Sequence, residues 1–111
     1  YTVQVMFDTN EQMADELTEI VFAEIEKIAK EGPLAEDMEK TREYENKNYA
    51  KTIEQNGWWS ATLSQFYEYN INRVEEYLPA VNGVTSADVQ AMAKKILSDG
   101  NLIKVVMRPE K

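Results

Sequence analysis

Apolar and polar positions alternate at the start of the chain. Val3, Val5 and Phe7 fall on one face, and Thr2, Gln4 and Asp8 on the other. A period of two over residues 1–8 predicts a half-buried strand; Met6, on the polar face, predicts partial cover there too. The period then lengthens: Met13, Leu17, Ile20, Val21, Ile25 and Ile28 recur at helical spacing. Thr9 stands where an N-cap is expected, with Gln12 at the capping-box position. Glu11, Asp15, Glu16 and Glu19 crowd the early turns, where the helix dipole favours negative charge. Gly32 is expected to cap the C-terminus and Pro33 to open the next element.

A second helix is predicted over 33–55, poorly apolar: Leu34, Met38, Tyr49 and Ile53 are separated by EKTREYENKN. Such a helix lies on the surface or borders another domain, and the surface is the expectation. Asn56-Gly57 reads as a break, after which Trp58 begins a third helix. Its stripe of Trp59, Leu63, Phe66, Tyr67, Ile71, Val74 and Leu78 runs to Pro79, with room for a bend at Asn70 and Asn72. Asn82-Gly83 reads as a turn, and Thr85 with Asp88 starts a capped helix. Val89, Met92, Ala93, Ile96 and Leu97 form its predicted buried side. Asp99-Gly100-Asn101 reads as a turn. Residues 102–107 read as a second strand, blunted by Pro109.

The expected order is strand, four helical segments, strand: an α/β fold of the two-layer α+β kind, helices packed on a mostly antiparallel sheet. Two strands alone make a marginal sheet. Residues 1–111 are therefore expected to be the second half of one domain, with further strands outside it or contributed by another chain. A homodimer formed through unpaired strand edges is one outcome of that arrangement. A chain that opens at Tyr1, inside what reads as a strand, is expected to be a processed product or an excised segment.

Composition narrows the chemistry. The 111 residues suffice for one small domain. Twenty acidic residues against twelve basic give a formal charge of −8, which argues against nucleic acid and against an anionic membrane surface. With no Cys and no His, disulfides, a Cys nucleophile, a His base and the usual zinc ligands are all excluded. No apolar run approaches the roughly 20 residues that span a bilayer.

What remains is weak as catalysis. Glu24 with Lys27, and Glu36 with Lys40, are spaced as surface ion pairs. Ser60 and Ser64 share a helix but lack a base to activate them, and Ser86 and Ser98 fall at capping or turn positions. Trp58, Trp59, Phe66, Tyr67 and Tyr69 offer an aromatic platform for sugar or peptide, but their helical spacing favours core filling. No catalytic, cofactor-binding or metal-binding residue is assigned.

Three stretches taken together resemble the C-terminal half of a domain in zinc peptidases of the insulinase/pitrilysin type. They are EIEKIAKEGPLAEDMEKTREY, then QNGWWSATL with Asn56, Trp59 and Leu63 in an Asn-x-x-Trp-x-x-x-Leu arrangement, then VTSADVQAMAKKIL leading into NLIKVVMRP. Each is common alone, whereas their order and spacing are more specific. The resemblance implies a non-catalytic piece of a metalloendopeptidase, helping to enclose a peptide substrate and packing against a catalytic domain or partner subunit. Zinc is then expected in that catalytic domain, held by H-x-x-E-H; this chain, without His, departs from the motif and needs no cofactor of its own. A periplasmic location follows from the resemblance alone. Two rivals stay open: a metal-free homologue serving as a structural subunit, and an acidic helical interaction module.

Overall fold

A computed structural model describes residues 2–107. Five helices run α1 (Ala14–Glu31), α2 (Ala35–Thr52), α3 (Asn56–Tyr69), α4 (Arg73–Gly83) and α5 (Ser86–Asp99). Among the described residues there is no strand. The α/β reading is thereby corrected: the described chain is all-helical, and no sheet underlies the helices. Residues 2–8 and 102–107 keep their apolar character but form no strand ladder among the described residues, leaving Val3, Val5, Ile103 and Val105 exposed. The physical reason is that alternation states only which face wants cover, while a strand needs a second backbone to complete its ladder. Tyr1 and Pro109 lie outside the described residues.

The predicted Thr9 cap does not form. Asn10 closes the turn that precedes the helix, its side-chain oxygen and its carbonyl both accepting from the Met13 N–H at 2.9 and 3.3 Å, and the helix start itself carries no side-chain cap. An Asx side chain closing a turn on itself outcompetes a threonine one residue earlier. At the other end Gly32 caps α1 as expected, at φ 82° and ψ 168°, its N–H donating to the Ile28 carbonyl.

The predicted third helix is two helices. Asn70 adopts the left-handed conformation at φ 56° and closes α3 by donating its N–H to the Phe66 carbonyl, and Asn72 then caps α4, accepting from the Glu75 N–H. Asparagine tolerates that backbone better than any other ordinary residue, so the bend falls where two stand close together. Three expected breaks are absorbed instead, the turn at Asn82-Gly83 among them, since both residues belong to the last turn of α4. Asn56 and Gly57 form the first turn of α3, and α4 continues through Pro79 to Gly83.

Helices α1 and α5 pack antiparallel. Gln90, near the start of α5, donates to the Ala29 and Lys30 carbonyls at the end of α1 (3.2 and 2.9 Å), while Lys104, beyond α5, reaches Asp15 at the start of α1 (3.2 Å). Gln90 thus satisfies two of the carbonyls that a helix C-terminus leaves unbonded. Between the helices, Ala14, Ala29 and Ala93 are the buried apolar residues, and Val89 and Ile96 are half-buried.

Helix α2 lies at the surface, as expected, but one of its faces is engaged. It packs antiparallel to α4 through the polar residues that made it look peripheral: Arg42 donates to the Val84 carbonyl (2.8 Å), Asn46 and Asn82 exchange amide hydrogen bonds (3.0 and 3.3 Å), and Tyr77 donates to Glu45 (2.7 Å). Positions 42, 45, 46 and 49 share one helical face. None of the α2 residues is fully buried.

The Thr85 cap forms as predicted and is reciprocal: the Asp88 N–H donates to the Thr85 hydroxyl oxygen, and the Thr85 N–H and hydroxyl both donate to the Asp88 carboxylate. These bonds, the hydroxyl's first, hold the Asp88 carboxyl below the ordinary carboxylate range. A depressed folded-state value means stability present above the unfolded value and lost as pH falls through the folded one. Thr85→Ala is expected to cost about 1 kcal/mol at neutral pH, and Asp88→Asn to flatten the acid side of the stability curve. Thermal unfolding at neutral and acid pH measures both; an unchanged acid slope in Asp88→Asn would show the box contributes nothing.

Candidate functional site

The aromatic residues divide. Trp58 is half-buried, whereas Trp59, Phe66, Tyr67 and Tyr69 are exposed, so the expected core filling by the α3 aromatics does not occur. Their stripe is real, but within the described residues no element lies over it. Trp59 instead anchors the helix start, its indole N–H donating to the Ile53 carbonyl at 2.7 Å. The one buried residue of α3 is polar: Thr62, whose hydroxyl finds no hydrogen-bond partner.

Trp58 belongs to a cluster that joins α2, α3 and α4. The Tyr49 ring stacks on Tyr77 (centroids 5.3 Å, planes 14° apart) and meets Trp58 edge-on at 5.8 Å, while the Tyr49 hydroxyl donates to the Val74 carbonyl at 3.3 Å. The Arg73 guanidinium lies 5.9 Å from the Tyr77 ring centre, within the range at which a cation is attracted to a π face. These four residues, with Asn48 and Thr52, line a cleft of about 140 Å³. A second, open depression of about 680 Å³ lies between α1 and α5, lined by Glu26, Lys30, Lys94 and Ser98 with Ala29 and Leu97; it is shallow.

Electrostatics single out Tyr77. Its hydroxyl donates to the Glu45 carboxylate, and this bond, with burial and the Glu45 charge, raises the phenol above its ordinary pKa, opposed by Arg73. A raised acid favours the protonated form in the fold, so the contribution holds below the unfolded pKa and is lost as pH climbs through the folded one. Tyr77 therefore stays protonated and acts as a hydrogen-bond donor to Glu45.

The other candidates disperse. Glu36 and Lys40 form their ion pair; Lys30 pairs with Glu26 at 3.8 Å, while Glu24 and Lys27 make no ion pair among the described residues. Ser98 donates to the Lys95 carbonyl, and Ser86 opens α5 behind its cap. Among the described residues no three Asp or Glu side chains gather as a metal site, and no helix is long and apolar enough to cross a membrane. The cleft around Tyr49 was missed in the sequence because Tyr49, Arg73 and Tyr77 come from helices whose pairing no local pattern reveals. Arg73 and Tyr77, four apart on one helix, were its only local signal.

Compared with protein families, curated proteins and solved structures, the chain matches none.

Proposed function

We propose that the chain is a non-catalytic segment of a zinc metalloendopeptidase of the insulinase/pitrilysin type, helping to wall the peptide chamber and packing against the catalytic domain. The observation that carries the reading is how little of its apolar surface the chain covers. Among the described residues no large side chain is fully buried, and apolar residues stand exposed on α3 (Trp59, Leu63, Phe66) and on both flanking segments (Val5, Phe7, Ile103, Val105). The radius of gyration is 17.4 Å, against about 13 Å for a compact domain of some 100 residues. Apolar patches of this extent mark surfaces made to be covered. The three sequence stretches that resemble the family supply the identity of the cover. Zinc and the bases that activate water belong to the parent's catalytic domain in this reading; the chain contributes shape and burial.

The all-helical architecture favours one rival, an acidic helical interaction module, since it removes the sheet that the family resemblance led us to expect. Two measurements separate the readings. The chain alone is expected to cleave no peptide, with or without zinc, while the longer protein carrying it shows chelator-sensitive peptidase activity. Chelator-sensitive cleavage by the chain alone sinks the proposal. So does a carrier protein with neither H-x-x-E-H nor such activity. In sedimentation the chain alone is expected to self-associate through its uncovered faces; a strictly monomeric, cooperatively folding chain supports the module.

A further inference from the structure

We infer that the cleft between α2, α3 and α4 is a binding site for a small monocarboxylate carrying a flat apolar group, with Arg73 as the carboxylate's partner. The inference rests on the cleft alone and stands whether or not the peptidase reading does.

Arg73 is the unusual element. It is half-buried, its guanidinium lies against the Tyr77 ring, and among the described residues it makes neither a hydrogen bond nor an ion pair. A guanidinium offers five N–H donors in a planar fork that matches a carboxylate. Acidic side chains are plentiful in this chain, with twenty against twelve basic, yet among the described residues none occupies the fork. Glu45, the carboxylate that reaches the cluster, is taken by the Tyr77 hydroxyl. Tyr49, Trp58 and Tyr77 add apolar wall, and Asn48 and Thr52 add polar groups at the lip.

Size and charge fix the ligand class. Typical small-molecule pockets hold about 300–1,000 Å³, so a cleft of about 140 Å³ takes a single ring or side chain and no more. Nucleotides and other polyanions are disfavoured twice, by volume and by the net charge of −8. A singly charged carboxylate on a planar body satisfies the fork and the aromatic walls together. It has two natural sources: a free aryl acid, or the C-terminus of a peptide that ends in an aromatic residue.

The test follows the Trp58 indole N–H by NMR on the 111-residue chain, with the backbone amide of Ala93, buried between α1 and α5 away from the cleft, as internal control. Phenylacetate and the tripeptide Ala-Ala-Phe are titrated against their uncharged amides. Saturable movement of the Trp58 signal is expected with at least one acid, and weaker binding by about tenfold or more for the matching amide and for Arg73→Gln. Arg73→Lys, which keeps charge without the fork, falls between. Binding by phenylacetate alone assigns a free acid; binding by the tripeptide assigns a peptide terminus. No saturable shift with either acid at concentrations on the order of 10 mM, or equal binding of acid and amide, overturns the site. The acid–amide comparison uses the unaltered chain, so it decides even if Arg73→Gln loses helix content by circular dichroism.

Discussion

Replacing Tyr49 with alanine is expected to destabilise the chain by about 2–3 kcal/mol, below the roughly 3–5 kcal/mol of a fully buried aromatic because the residue is only half-buried. Tyr49 is where three helices meet. It stacks on Tyr77 of α4, takes the edge of Trp58 of α3, and bonds the Val74 carbonyl from α2. Each aromatic pair contributes about 0.5–1.5 kcal/mol beyond the area it buries, and alanine removes both together. Tyr67 provides the control: it is 82 % exposed, and its truncation is expected to cost less than about 0.5 kcal/mol. Tyr49→Phe separates ring from hydroxyl. The bond to Val74 is long at 3.3 Å, so the phenylalanine variant should keep most of the stability. Denaturant midpoints for the three variants decide the matter. Equal losses for Tyr49→Ala and Tyr67→Ala would mean that the cluster is not a hub. The effect matters because few other contacts hold α2 and α3: the seam between α2 and α4 is otherwise polar, and polar bonds of that kind add about 1 kcal/mol each.

The helices were readable where the information was local. Thr85 with Asp88 set the start of α5, which came through because a capping box involves only residues three apart, whereas its buried side came through in part: Ala93, Val89 and Ile96 are covered, Met92 and Leu97 exposed. The bend at Asn70 and Asn72 was readable as a possibility for the same reason. The strands were not, since an alternating segment such as Val3, Val5 and Phe7 specifies a face and leaves its partner unstated. The surface position of α2 was legible, but the seam along one of its faces was not. Arg42, Glu45, Asn46 and Tyr49 look like solvent-facing residues one at a time, and a rule that weighs apolar content alone puts such a helix outside. They become a seam only opposite Tyr77, Asn82 and Val84, which lie some thirty to forty positions further along.

The site shares that limitation. Arg73 and Tyr77 sit one helical turn apart, and their mutual contact was within reach of the sequence. What makes the arginine notable is the absence of a carboxylate at its fork, and an absence of that kind exists only in three dimensions. The aromatic platform imagined along α3 divided for a related reason. Helical spacing puts Trp59, Phe66 and Tyr67 near one another, but whether they fill a core depends on what lies above them, and only Trp58 met a neighbouring helix.

Gly32→Ala is expected to cost about 1–3 kcal/mol although the added methyl group touches nothing. A Cβ built at Gly32 has no atom within 4 Å, so the cost is wholly in the backbone: φ 82° with ψ 168° is a region that L side chains do not enter. Gly100 separates backbone cost from turn chemistry. It too has a positive φ, 65°, but with ψ at 6° it lies beside the left-handed helical region, where a side chain is strained far less. Gly100→Ala should therefore lose about 1 kcal/mol. Gly57, inside α3 with open space around it, should gain a few tenths to about 1 kcal/mol on becoming alanine, since the unfolded chain loses freedom that the helix never used. The ranking Gly32, Gly100, Gly57 from most to least harmful is what thermal unfolding should return. If Gly32→Ala proves neutral, the turn between α1 and α2 takes another conformation in solution. The junction that sends α2 back along the chain towards α4 would then have to be set by Pro33 and Leu34 instead.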